Sequence, residues 1–434
     1  MIKKEIGDSV LRVIETFSGI GSQAKALANI GIDYEIVATV EWEIGALYAY
    51  DIIHNGPQDL KVYRHHTKES LVKELSQYNL SNDGKSPLKD RSLNSMSVPQ
   101  LKAILCSLER NNNFVDITKV KAKDLPDADI LTYSFPCQDL SIAGTWHNNI
   151  GGIDRGANNR STLLWQIERI LKEYVHNDKS LPKFLLMENV SNILSCKHID
   201  NFNEWQYFLE ELGYCNQIYT LDARNFGVPQ SRVRTYMISV LCPSEEVRQE
   251  IIEYFLYNNL ENYVVSDEDI RPINEYLRLD YSVDKYKFEA IESTPAFTPS
   301  RKKIYENNPI LATDDIVHSS VHARTVTTKQ DRHPNSGIIE YSNIQLTSAN
   351  HKYRNLTPRE CFLLMGFEEE DFDRLQENNI NITEYRKILP ASKLIKLAGN
   401  SIVVQVLEKV FIQIDEINNQ ILTKQSTLSQ AKNF

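Results

Sequence analysis

The sequence predicts an α/β protein built on a parallel sheet, with a ligand site at the carboxyl ends of its strands. Three stretches carry that expectation. Residues 11–30 run from an alternating apolar segment, LRVIETF, through the glycine turn FSGIGS into the helical run QAKALANI. Strand, glycine turn and helix in that order make the first half of a dinucleotide- or nucleoside-binding unit. The segment LPKFLLMENV is almost wholly apolar, as a strand buried on both faces requires, and ends in Glu188 and Asn189. In LTYSFPCQDLSIAG a short apolar run stops at Pro136, so the chain must leave its sheet there and carry Cys137 out on a turn.

In chain order, the glycines of FSGIGS let a ligand approach the backbone, and the following helix offers free N–H groups. A second strand, Tyr34–Val40, ends at Glu41 and Trp42. An acidic residue about 20 positions after a glycine turn suits the hydroxyls of a ribose, and Trp42 suits stacking on a base. Their ordinary alternatives are a solvated charge and a core residue. Residues 55–113 are polar and rich in Lys and Asn, with two helical runs, and read as an inserted helical excursion on the surface. FVDI then resumes the sheet, and Asp116 either accepts from an adenine amino group or caps a turn.

The strand at 130–134 delivers Cys137. A thiol on such a turn serves as a nucleophile once deprotonated, although a lone cysteine is more often a small buried hydrophobe. The glycine-containing loop 139–160 reads as a lid. The segment STLLWQIERILKEY has helical spacing, residues 205–212 form a second helix, and QSRVR leads into a strand at 235–241. That motif puts Arg232 and Arg234 on one side of an extended chain, suited to a phosphate or a base carbonyl, or else to surface ion pairs.

From residue 243 to about 355 the chain is polar, Tyr- and Asn-rich and weakly periodic, and reads as a second, smaller domain of short strands and loops. Its locally basic stretch HARTVTTKQDRHPNSG contains Arg324. LTPRECFLLMGF is a Pro-initiated helix ending in glycine, and LAGNSIVVQVLEKVFIQI is a glycine-asparagine turn followed by a long amphipathic helix.

Composition sets outer bounds. The 434 residues, 41% hydrophobic and 24% charged, are globular and long enough for two domains. The six cysteines show no close pair and no metal-ligand spacing, so free thiols in a reducing compartment and no metal are expected. The N-terminus lacks the apolar core of a signal peptide and no apolar run approaches membrane-spanning length, which makes a cytoplasmic protein the expectation. The net charge of −10 argues weakly against a nucleic-acid partner, but a locally basic face on an acidic protein remains compatible with one.

In sequence, FSGIGS, EW, DI, SFPCQ, RSTLLW, MENV, QSRVR, ARTVTT, TPREC–MGF and GNSIVVQVL occur as one ordered series. By that series the chain resembles the DNA cytosine carbon-5 methyltransferases of bacteria, both restriction-modification and solitary. The resemblance implies a doubly wound, Rossmann-like sheet binding S-adenosylmethionine in residues 1–242, with the insertion at about 55–113. It further implies a target-recognition domain at 243–355, a connecting segment at 356–391, and a C-terminal helix at 392–434 returning to the sheet.

The resemblance also implies roles. Cys137 attacks carbon 6 of a flipped-out cytosine, Glu188 protonates ring nitrogen 3, Arg234 binds the carbonyl oxygen, and Arg232 supports the loop or a phosphate. Phe17, Ser18, Gly19, Ile20, Gly21, Glu41, Trp42, Asp116, Ile117, Pro136, Leu163, Asn400 and Ser401 contact the cofactor. Gln138, Ser141 and Arg324 contact DNA. The implied partner is double-stranded DNA bound by a monomer, with a cognate restriction endonuclease as a candidate partner. Three features depart from the family pattern: the insertion, Ala143 where some relatives carry a serine, and a recognition region whose specificity does not transfer. The competing expectations are an RNA (tRNA) cytosine-5 methyltransferase on the same scaffold and a catalytically silent DNA-binding protein.

Overall fold

The computed structural model describes residues 10–137, 140, 152–156, 160–344, 346, 351–383 and 386–424. Its centre is a six-stranded sheet made of β1 (Leu11–Thr16), β2 (Tyr34–Val40), β3 (Ile130–Tyr133), β4 (Phe184–Val190), β5 (Tyr214–Asp222) and β7 (Val233–Leu241), with β6 (Gln230–Ser231) just outside it. The spatial order is β2-β1-β3-β4-β7-β5. The first four strands are parallel, while β7 runs antiparallel to both β4 and β5. The chain leaves β1 toward β2 on one side and returns to β3 on the other. Open sheets bind ligands at the crevice such a reversal creates.

Helices cover both faces: α1 (Ser22–Ile30), α2 (Ile44–Asn55), α3 (Lys68–Leu75), α4 (Asp90–Ser95), α5 (Val98–Arg110), α6 (Leu164–His176) and α7 (Ile199–Glu211). Two cores result. One lies around Leu131, Tyr133, Leu185, Trp165 and Trp205. The other runs from α2 and α5 to the C-terminal helices.

Several expectations change here. The insertion is not a surface excursion. In α5, Leu101, Ala103, Ile104, Leu105 and Leu108 are buried in the larger core and the helix packs on α2 and α3. FVDI forms no strand: Thr39 and Asn113 make a single bridge, Val115 turns through φ +61°, and Asp116 closes a turn. The sequence reading omitted β5, an edge strand whose Asn216, Gln217 and Thr220 obscure its alternation. The change of texture at 243 does not mark departure from the sheet domain. Helix α8 (Glu245–Tyr257) buries Val247, Ile251 and Phe255, and Phe255 meets Tyr219 of β5 edge-on.

The smaller unit follows. It holds α9 (Asp284–Glu292), α10 (Pro299–Asn307) and a sheet of β8 (Ile310–Thr313), β9 (Ile316–Val317), β11 (Ile338–Glu340) and β12 (Tyr353–Asn355), while β10 (Ala323–Arg324) pairs with β6. It returns through α11 (Pro358–Leu363), whose Thr357 and Glu360 form a capping box. Glu360 also takes both Arg354 terminal nitrogens at 2.8 Å, with both side chains fully buried. Helix α12 (Glu369–Glu377) leads to α13 (Ala391–Asn400) and α14 (Val404–Ile417).

The run Ala391–Leu422 is long and apolar enough to cross a membrane, with mean hydropathy 1.3. It breaks at Ser401–Val403, however, and 67% of its most apolar window is buried in protein. Its apolar face packs against α1 and the core.

Candidate active site

The turn after β1 is held by its neighbours. Gly21 has φ +80°, and a Cβ there would come within 2.2 Å of His54 Nε2. Burial lowers the His54 pKa to about 4, so the neutral ring donates Nε2–H to the Ile20 carbonyl at 3.0 Å. Beyond the turn, Glu41 accepts from Gly19 N (3.1 Å) and Glu43 N (2.8 Å). Burial nevertheless raises its pKa to about 7. Two backbone donors leave a carboxylate with lone pairs to spare.

Gly19 opens onto free space: a Cβ there would meet nothing within 4 Å. Phe17 (φ +56°) and Trp42 are half-buried, and Ser18 and Ile20 are buried. Asp116 already accepts from Asn79 Nδ2 (2.5 Å), Thr118 N (2.9 Å) and Thr118 Oγ1 (2.8 Å), so of its two expected roles the structure displays the turn cap. Ile117 is buried beside it, and its carbonyl accepts from Arg169.

The cysteine turn is fixed through its backbone. Asn189 Nδ2 donates to Phe135 O (3.1 Å), Ser161 Oγ to Pro136 O (2.8 Å) and Asn192 Nδ2 to Leu140 O (2.6 Å), while Leu140 N donates to Cys137 O (3.0 Å). None of the three side-chain donors was assigned a role from sequence, although Asn189 follows Glu188 directly and Ser161 lies in RSTLLW. Cys137 itself is half-buried rather than exposed. Burial raises its thiol pKa and the Arg234 charge pulls it back down.

Glu188, at the end of β4, and Arg234, on β7, face each other with Nε and Oε1 3.4 Å apart. Burial raises the Glu188 pKa against the pull of Arg234 and then Arg232. A carboxyl pKa raised at a cleft is the mark of a group suited to hold and deliver a proton.

Arg232 is placed differently. It is 4% exposed, and its terminal nitrogens donate to the carbonyls of Val326 (2.9 Å), Gly399 (3.3 Å) and Ser401 (2.6 Å). Of the two expected tasks, loop or phosphate, these bonds serve the loop. Arg324 is committed elsewhere too, to Asn307 O (3.1 Å) and Asn308 Oδ1 (3.3 Å).

Cys137 and Arg234 open into a cleft of about 1800 Å³ between the sheet domain and the smaller unit. Among the described residues, nine basic side chains line it (Lys85, Arg160, Arg234, Arg301, Lys329, Arg332, Arg386, Lys393, Lys396) against three acidic ones (Asp83, Glu292, Asp331). An acidic protein thus presents a positive groove above its cysteine, which suits a polyanion. Asn400 lines the cleft, and Ser401 is buried against Ser22 with 2.6 Å between hydroxyls. Leu163 is half-buried ahead of α6. Gln138, Ser141, Ala143 and most of the expected lid lie outside the described residues.

The family model for C-5 cytosine-specific DNA methylases matches residues 96–416. The chain belongs to this family. It is 34% identical over 422 residues to the orphan methyltransferase M.SssI of Spiroplasma monobiae, covering 95% of this chain and all of that one. It is 32% identical over 408 residues to the type II methyltransferase M2.ScrFI of Lactococcus lactis subsp. cremoris, covering 93% and 98%. Among solved structures, the Dnmt2 methyltransferase of S. pombe aligns over 94% of this chain and 98% of its own, with a TM-score of 0.55 at 19% identity, a likeness of fold.

The protein is therefore a DNA cytosine-5 methyltransferase, and S-adenosylmethionine is its methyl donor. The described residues fit that cofactor. The open space over Gly19, the helix N-terminus beyond it and the spare acceptor capacity of Glu41 form a cradle at the crevice beside β1. Phe17, Ser18, Glu41 and Trp42 would hold the nucleoside end of the methyltransferase's cofactor. When bound, the cofactor supplies an electrophilic methyl group.

Proposed function

We propose that this methyltransferase modifies carbon 5 of a cytosine flipped out of duplex DNA, through a covalent bond from Cys137. Cytosine carbon 5 is too weak a nucleophile to take a methyl group unaided. Attack of the Cys137 thiolate on carbon 6 forms a C–S bond and pushes the ring's electrons toward nitrogen 3. Glu188 delivers a proton to that nitrogen, and Arg234 binds the carbonyl oxygen. Carbon 5 is then enamine-like and nucleophilic. After methylation, the carbon-5 proton is lost to solvent as the C–S bond breaks and Cys137 leaves as thiolate, and nitrogen 3 returns its proton to Glu188, which restores the ring.

The attacked face is stacked inside a duplex, so the base must leave the helix, at a cost of a few kcal/mol. The observation that carries this reading is that Cys137 and Arg234 line a basic cleft and that Glu188 pairs with Arg234 there. The match to the family of C-5 cytosine-specific DNA methylases favours DNA over RNA. The protein acts as a monomer on a specific sequence. One relative is described as orphan and another as type II; we place this chain with the restriction-modification enzymes, its cognate endonuclease on another chain.

Bisulfite sequencing of DNA from cells expressing the protein identifies its target. A duplex carrying 5-fluorocytosine at that target should be attacked and methylated, then remain bound, because fluorine does not leave as a proton. The adduct should survive denaturation, require S-adenosylmethionine and map to Cys137. Glu188→Gln should slow its formation severely. An adduct on another cysteine, or full turnover by Cys137→Ala, would overturn the scheme.

A further inference from the structure

Residues 55–113 have no part in the chemistry above, yet the far edge of this insertion reaches the cleft. Asn82, Lys85, Leu88 and Ser92 line the same space as Cys137 and Arg234. The edge is anchored at two levels. Beneath it, α5 is packed into the larger core. Beside it, Lys396 Nζ donates to Asp83 O (2.7 Å) and Glu43 Oε2 (2.6 Å), and Lys393 Nζ to Asn82 O (3.0 Å). Ser81 N bonds to Trp42 O at 2.7 Å, so the segment is also stitched to the end of β2.

The two charged side chains on this edge are not paired with each other. The Asp83 carboxylate is engaged within its own turn, Oδ1 accepting from Lys85 N (2.9 Å), Ser86 N (3.1 Å) and Ser81 Oγ (3.2 Å). The Lys85 ammonium is exposed and has no ion pair among the described residues. Asn82 Oδ1 lies 3.4 Å from Lys393 Nζ, which leaves Asn82 Nδ2 as a donor toward the cleft. A rigid edge offering one free cation and neutral N–H and O–H donors matches a sugar-phosphate backbone.

We propose that the insertion is a third wall of the DNA cleft, in which Lys85, with Asn82 and Ser92, grips the phosphate backbone on one flank of the target base. This rests on reading the cleft as the DNA site. The wall adds affinity and footprint without touching the chemistry.

The test uses the full-length protein and a duplex whose methylation has first been shown by sequencing. Lys85→Ala/Ser92→Ala should bind a duplex with long flanks several-fold more weakly than wild type. The slope of log affinity against log salt should be shallower by about 0.9, one phosphate contact. Trimming the flank on one side should weaken wild type and abolish its advantage over the variant, whereas trimming the other should preserve the advantage. Single-turnover methylation at saturating DNA should be unchanged. Equal affinity and equal flank dependence in the two proteins would overturn the proposal, as would a loss confined to the saturated rate. Failure of wild type to methylate cytosine in any duplex would instead remove the DNA reading of the cleft, and the wall with it.

Discussion

Arg232 and Arg234 sit two residues apart in QSRVR, and exchanging each for Met should separate a structural from a chemical role. Burial, and then the neighbouring Arg234 charge, lower the Arg232 pKa to about 9 from 12.5. That shift opposes its cationic form by about 5 kcal/mol. Against it stand three hydrogen bonds to the carbonyls of Val326, Gly399 and Ser401. A charge-assisted bond contributes roughly 1.5–3 kcal/mol, so the set outweighs the penalty by about 2 kcal/mol. Arg232→Met should therefore lower stability by about 2 kcal/mol, which for a chain of this length is only about 2 °C in Tm. It should also weaken cofactor binding, because Ser401 lies against the first residue of α1.

Arg234 contributes differently. Its one ion pair, Nε to Glu188 Oε1, opens onto the cleft. Arg234→Met should leave Tm unchanged, while single-turnover methylation falls by about 100-fold or more for loss of a charged contact to the reacting ring. The assays are thermal unfolding, cofactor calorimetry and single-turnover methylation on one target duplex. An Arg232→Met protein as stable as wild type, or an Arg234→Met protein that methylates normally, would refute the division of labour.

Two further outcomes follow from the same geometry. Glu15 is fully buried on β1, with Oε1 accepting from Ala24 N at 2.9 Å, and burial raises its pKa from 4.5 to about 7. As pH rises through that window the unfolded chain gives up this proton first, so the folded state loses up to about 3 kcal/mol; Glu15→Gln should gain on wild type between pH 5 and pH 8, read by denaturant unfolding at each pH, and a pH-independent difference would refute it. Asn189→Leu removes the donor to Phe135 O, and a buried carbonyl left unpaired costs about 1–3 kcal/mol. It should slow adduct formation at Cys137 while leaving cofactor affinity intact, and an unchanged adduct rate in a quench assay would show that the bond does not position the turn.

What was legible in the sequence was whatever leaves a local pattern. Tyr34–Val40 was read to the residue because its apolar run is bounded by turn signals on both sides. The glycine turn, the cysteine turn and MENV were legible because chemistry at strand ends forces unusual residues next to one another. Strand β5 was missed because it is an edge strand whose exposed positions carry polar side chains, and periodicity weakens there. The insertion was misjudged for a related reason. Its Lys and Asn residues make the segment polar on average, while the residues that bury it, Leu101, Ala103, Ile104, Leu105 and Leu108, lie together on α5. For Arg232 the sequence leaves loop and phosphate both open, because its partners are carbonyls some 90 and 170 positions away, which no local pattern records.

Those distant carbonyls suggest how the two halves of the protein communicate. The three residues 399–401 meet the smaller unit, Arg232 and the start of α1. The Gly399 backbone presses on the smaller unit so closely that a Cβ there would fall 2.4 Å from the Thr327 carbonyl carbon. Gly399 O and Ser401 O take the Arg232 guanidinium, which stands next but one to Arg234. Ser401 Oγ meets Ser22 Oγ, and Ile402 N donates to the same hydroxyl at 3.3 Å, at the start of the helix that follows the cofactor turn. A ligand that shifts the turn after β1 must therefore strain or relieve a joint that also sets the cleft. Any such coupling is reciprocal: the factor by which bound cofactor changes DNA affinity equals the factor by which DNA changes cofactor affinity. The joint has no room for a side chain at Gly399, because the Thr327–Thr328 backbone stands where a Cβ would go.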